Sequence, residues 1–197
     1  TIIRTTDAGN SWEPLPSGTL AKLSGVHLLS STTGAVVGSQ GTIMRTDNSG
    51  ATWVVQSSLT LSPLNAVHFF DVNKGIAVGG GPLGAGLLRW TTNGGTNWNT
   101  PTGGTFAALN GVAMVNATTA IAVGNSANIW RTTNNGAIWT ASSGGINSLF
   151  GVSFATTSVG TAVGSGSTIL RTTNGGLTWV QQQVGGATVT LRGISMV

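Results

Sequence analysis

Four arginines stand at one fixed distance from one recurring motif, and they are the side chains best suited to grip a ligand. Arg4, Arg45, Arg131 and Arg171 each precede an Asp or Asn by three residues, at Asp7, Asn48, Asn134 and Asn174. Guanidinium groups repeated in this way can hold carboxylates, phosphates or an acidic protein segment, because the planar fork matches two oxygens at once. The same spacing supports a plainer role. An arginine that travels with a turn motif can brace its own repeat by donating to backbone carbonyls near the turn. Bracing is the preferred reading, because a partner seldom touches every repeat alike. In the third repeat Trp90 takes the arginine position and Arg89 sits one place earlier. Arg89 is therefore expected to be displaced, or to reach the same carbonyls by another route.

The other reactive side chains form no catalytic set. The four acids are Asp7, Glu13, Asp47 and Asp71, and two of them lie in the motif itself. A glycosidase needs two carboxylates facing one bond, and Glu13 and Asp71 have no evident pairing. There is no Tyr and no Cys to act as nucleophile, and no G-x-S-x-G elbow. His27 and His68 share a column of the repeat, but that column continues as Ala113, Ser153 and Ser195, so no third metal ligand follows. The expectation is a non-enzyme without metal or cofactor.

These residues are set in a frame written five times: Thr-x-Asp/Asn-x-Gly-x-x-Trp. It ends at Trp12, Trp53, Trp98, Trp139 and Trp179, at intervals of 40 to 45 residues. The Asp or Asn (Asp7, Asn48, Asn93, Asn134, Asn174) can accept from turn amides two or three residues on. The Gly (Gly9, Gly50, Gly95, Gly136, Gly176) can take a positive φ. The Trp is expected to fold back over the turn as an apolar lid. All of these are structural roles.

Upstream of each frame comes a run such as Gly-Val-x-Phe, then Ala-Val-Gly, then Thr-Ile-Leu-Arg. With the stretch after the Trp, this makes four short strands, A to D, per repeat. A fixed period built from strands points to an all-β fold, a β-propeller of four-stranded antiparallel blades. The repeats fall near residues 1–16, 20–57, 64–102, 109–143 and 149–183, with 189–197 opening a further blade at its strand A. The third repeat carries a Gly/Pro-rich insertion, Gly80 to Gly86, read as a neutral rim loop. The small residues of strands A and B let backbones crowd near the central axis.

The frame resembles the Asp-box, or bacterial neuraminidase repeat. The full phrase from Gly151 to Trp179 resembles the photosystem II assembly and stability factor family and its bacterial relatives. That resemblance covers essentially the whole chain. It implies a propeller of about seven blades, of which this chain would be a part, and a partner that is a protein. Asp-boxes also occur in glycosidases, so the box identifies a fold and not an activity.

Composition narrows the setting. Only 6% of residues are charged, with eight bases against four acids. Such a surface of Thr, Ser, Asn, Gln and Gly suits a secreted, periplasmic or luminal protein, or a subunit that packs against copies of itself. No apolar run is long enough to span a membrane. The bases are too scattered for a nucleic-acid surface. No residue set argues for a glycan site. Asn116-Ala117-Thr118 is a glycosylation sequon, meaningful only in a eukaryotic secretory protein. The leading expectation is a non-catalytic, extracytoplasmic protein-binding scaffold. The rivals are a surface or filament component, and a glycosidase whose catalytic residues lie outside this chain.

Overall fold

The computed structural model describes residues 1–81, 84–104, 106–143, 145–186 and 188–196. They form five antiparallel sheets in chain order. A half-blade comes first, with β1 (Ile2–Arg4) paired to β2 (Glu13–Leu15). Blade 1 follows as β3 (Leu23–Leu28), β4 (Gly34–Gly38), β5 (Ile43–Thr46) and β6 (Val54–Gln56). Blade 2 has β7 (Leu64–Phe69), β8 (Gly75–Gly80) and β9 (Gly86–Thr91). Blade 3 has β10 (Leu109–Met114), β11 (Ala120–Gly124), β12 (Asn128–Thr132) and β13 (Thr140–Ser143). Blade 4 has β14 (Leu149–Phe154), β15 (Gly160–Gly164), β16 (Ile169–Thr172) and β17 (Val180–Gln181). Each sheet is a meander of the expected kind, and the described residues contain no helix beyond one short turn at Ser39–Gly41.

The core does not lie inside any blade. A blade is one sheet thick, so its apolar faces can be buried only against the next blade. Three clusters result, one at each boundary between full blades. Ala35, Val37 and Ile43 of blade 1 meet Val67, Phe69 and Trp98 of blade 2. Ile76, Val78 and Leu88 meet Val112, Met114 and Trp139. Ile121, Val123 and Ile129 meet Leu149, Ala162 and Leu170, with Phe154 and Trp179 against them. The box tryptophans therefore do more than cover their own turns. Trp98 and Trp139 are buried at blade boundaries, while Trp12, on the half-blade, is 56% exposed.

The first strands of successive blades run side by side. A Cβ at Gly25 would sit 2.8 Å from the carbonyl of Asn65, and one at Gly111 would sit 3.0 Å from that of Phe150. This contact explains the Gly of Gly-Val-x-Phe. Each first strand also carries a bulge one residue earlier, at Ser24, Asn65, Asn110 and Phe150. The bulge turns that side chain toward the next blade. Asn65 and Asn110 use it to donate to the carbonyls of Leu109 and Leu149.

Two local expectations are corrected, for blade 2 and for its insertion. Blade 2 lacks a fourth strand and has in its place two isolated bridges, Trp90 to Asn99 and Ala85 to Ala107. Trp90 and Asn99 exchange both backbone bonds, so the next such pair would join Leu88 to Pro101. Pro101 has no N–H to give, and the ladder stops. Residues 189–196 carry no ladder of their own, but the segment lies along β14 where the first strand of a further blade would, with Arg192 and Gly193 against Gly151 and Met196 donating to Ser153. The strand-A reading reached Val197, which lies outside the described residues. In the insertion, Gly80 pairs with Gly86, so the excursion prolongs β8 and β9. Pro82 and Leu83 of that insertion are outside the described residues.

Candidate functional site: the box rim and the inner seam

The five boxes share one hydrogen-bond plan. The Thr hydroxyl donates to Oδ1 of the Asp or Asn, at 2.7 to 3.0 Å in Thr5, Thr46, Thr91, Thr132 and Thr172. The same hydroxyl oxygen accepts from the amide of the box Gly, at 2.8 to 3.2 Å. Oδ1 then accepts from the amide four residues on, at Ser11, Thr52, Asn97, Ile138 and Thr178. The Asp/Asn thus reaches further than the two or three residues expected: the Thr hydroxyl takes the amide two residues on, and in the first four boxes the Asp/Asn carbonyl takes the amide three residues on. Gly9, Gly50, Gly95, Gly136 and Gly176 all have φ between +81° and +98°.

A second turn supports the box in each of blades 1 to 4. Between the first two strands of each blade, Ser30, Asp71, Asn116 and Thr156 accept from amides two and three residues on. The carbonyls of Thr32, Asn73, Thr118 and Ser158 in these turns then take an amide from the box of the same blade. A short polar residue two places after the end of strand A was the available sequence signal for this set. Asn116, the sequon residue, is occupied here as a turn acceptor.

The arginine column crosses blade boundaries. Arg4 Nη1 donates to the carbonyl of Ser49 at 2.8 Å, Arg45 Nη1 to that of Gly94 at 3.3 Å, and Arg131 Nε to that of Gly175 at 2.9 Å. Each acceptor is the residue just before the box Gly of the following blade. The brace expected within each arginine's own repeat is therefore a brace between repeats. Arg171 is exposed and makes no such bond among the described residues. Gln56 adds to the second boundary, donating to Gly94 and accepting from Trp98 Nε1. At the boundary of blades 2 and 3, Trp90 replaces the arginine and packs against Gly136. Arg89 points the other way, to the carbonyls of Ser58, Leu88 and Leu59, and burial pushes its pKa down.

The histidines sit on the inner seam. Their rings lie 4.2 Å apart. His27 Nδ1 accepts from the amide of Phe69 at 3.4 Å, and His68 Nδ1 accepts from that of Met114 at 3.3 Å. In the same column, Ser153 Oγ accepts from Met196 at 3.1 Å. Each imidazole must therefore be neutral with its proton on Nε2, a tautomer with no free lone pair for a metal. Burial lowers the pKa of both, His68 to about 4, with His27 beside it adding to the effect.

The carboxylates are dispersed. Asp7 is bound up in its box and Asp71 in its turn. Among the described residues, no three His, Asp or Glu side chains come together as a metal site would require. On the box rim, a groove of about 410 Å³ opens between blades 1 and 2. His27, Leu28, Phe70, Asp71 and Val72 line it. Leu28, Phe70 and Val72 are exposed there.

A family model described as photosynthesis system II assembly factor YCF48 matches residues 3–147. Among solved structures, YCF48 bound to D1 peptide is 22% identical with a TM-score of 0.63, over 84% of this chain and 55% of that one. YCF48 from Cyanidioschyzon merolae is 20% identical with a TM-score of 0.65, over 87% and 59%. An ancestral GH74 enzyme is 20% identical with a TM-score of 0.68, over 89% and 25%. The chain thus spans little more than half the length of the two YCF48 structures. No curated protein matches it.

Proposed function

The chain belongs to the photosynthesis system II assembly factor YCF48 family, and from that premise we propose that it is a non-catalytic propeller that binds an extended segment of a protein partner outside the cytoplasm. The observation that carries this reading is the family match over residues 3–147. A structure of a YCF48 protein with a D1 peptide adds support for a peptide as the ligand. The rim groove suits such a ligand, because exposed Leu28, Phe70 and Val72 offer apolar contact beside a free edge of polar turns. The low charge of the chain supports an extracytoplasmic setting.

The test is calorimetric titration with the D1 peptide, repeated with Phe70→Ser and Val72→Ser. Binding that weakens in both variants, with unchanged unfolding temperature, supports the reading. Absence of binding to the peptide overturns it. The likeness to a GH74 enzyme favours one rival, a glycosidase. Release of reducing sugar from a β-glucan by a longer protein that contains this chain would establish that rival instead.

A further inference from the structure

We propose that His27 and His68 make the inner seam of blades 1 to 3 acid-sensitive, so that proton uptake by the pair loosens the contact between successive first strands. The geometry couples the rings directly to the seam. Each Nδ1 accepts a hydrogen bond from an amide of the neighbouring blade, Phe69 in β7 and Met114 in β10. An imidazolium has no acceptor nitrogen. Protonation therefore breaks the bond and leaves two buried amides unpaired. It also places two positive charges on rings 4.2 Å apart, in a partly buried site.

Among the described residues, no carboxylate pairs with either ring. β4 faces His27 with Ala35, and β8 faces His68 with Ile76. β10 has no titratable residue. Asp71 lines the same groove as His27 and keeps its negative charge, but its Oδ1 is turned to the amides of Asn73 and Lys74 and it forms no ion pair with either ring. Arg45 is a cation held at Gly94 and over the Phe69 ring.

The sign follows from linkage. A histidine whose folded pKa is depressed stabilises the closed seam fully above its ordinary pKa of 6.5. That stabilisation is lost as pH falls toward the folded pKa, about 4 for His68. Over that window His68 alone can shift the closed-to-open ratio by up to about 300-fold. The same column contains its own control, since the amide of Met196 is held by Ser153, which does not titrate.

The experiment is amide hydrogen exchange from pH 7.5 to 4.5, corrected for intrinsic rates. Protection at Phe69 and Met114 should fall by ten-fold or more while that at Met196 holds. His27→Asn with His68→Asn keeps an acceptor and removes the titration, and protection should then be flat with pH. Constant protection in the parent protein, or an equal fall in the double variant, overturns the proposal. Should the variant not fold, imidazole titration by NMR in the parent decides the matter. Midpoints near 6.5 for both rings overturn it, and a midpoint near 4 for His68 upholds it.

Discussion

Arg131 donates from Nε to the carbonyl oxygen of Gly175 at 2.9 Å, and that bond fastens blade 3 to the box turn of blade 4. The acceptor lies just before the box Gly, where the chain reverses and its carbonyl points out of the turn. Arg4 and Arg45 repeat the arrangement at two other boundaries. A propeller whose core is divided among blade boundaries gains from a polar clasp at each one.

The column gives a graded prediction. Arg131→Ala removes the clasp at its boundary and should cost roughly 1.5–3 kcal/mol, the range for a hydrogen bond from a charged donor. Arg45→Ala should cost less, because Gln56 also donates to Gly94, at 2.9 Å. Arg171→Ala, at an exposed side chain with no bond among the described residues, should change stability by no more than about 0.5 kcal/mol. Urea unfolding of the three variants checks the order. Equal losses would mean that the arginines act through the general charge of the surface.

The box predicts differently for its two polar roles. Asn174→Ala removes the acceptor of Thr172 Oγ1 and of the Thr178 amide, and should cost roughly 1–2 kcal/mol. Asn174→Asp keeps that oxygen and should be close to neutral at pH 7, since Asp7 fills the same place in its own box. Gly176→Ala meets both a φ of +81° and Ile121 of the preceding blade, and should cost roughly 2–3 kcal/mol. Gly9→Ala meets only the backbone strain, with open space around it, and should cost about 1 kcal/mol. Thermal unfolding of the four variants would separate strain from collision.

Much of this was legible because a repeat exposes its own grammar. The Thr, Asp/Asn and Gly of the box bond within five residues of chain, so their spacing carries their geometry. Arg131 and Gly175 are 44 residues apart, and spacing within one repeat cannot show which of two blades holds the acceptor. The same limit hid the burial of Trp98, which needs Ala35 and Val37 from the preceding blade. It also hid the histidine ladder, since a column of His, His, Ala, Ser and Ser looks variable until the amide it faces is known. Pro101 was visible, but its effect depends on register, and only the Trp90–Asn99 pair fixes that.

Pro101→Thr tests that last point. It restores the N–H at the position opposite Leu88 and should allow blade 2 a fourth strand. The expected result is a newly protected amide at residue 101 and a gain of roughly 0.5–1 kcal/mol from one added backbone bond. An unprotected amide at residue 101 of the variant would show that the Thr102 bond to the carbonyl of Ala137 holds this segment away from β9.

Asp7 gives the box a signature in acid. Its carboxylate accepts from the Ser11 hydroxyl at 2.7 Å, from the Ser11 amide at 2.9 Å and from the Thr5 hydroxyl at 2.7 Å. These bonds, the Ser11 hydroxyl foremost, lower its pKa from 3.8 to about 2. A carboxylate with a depressed folded pKa contributes stability that is present above its unfolded value and is lost as pH falls through the folded one. The half-blade box should therefore hold at pH 4 and loosen between pH 4 and 2. The other four boxes have Asn at this place and should show no such step. Carboxyl titration followed by NMR should give a midpoint near 2 for Asp7, and Asp7→Asn should remove the acid-dependent change in the Gly9 and Ser11 amide signals. A midpoint near 4 would mean that the carboxylate is not held by Ser11 and Thr5, and that the first box stays closed through its Thr and Gly alone.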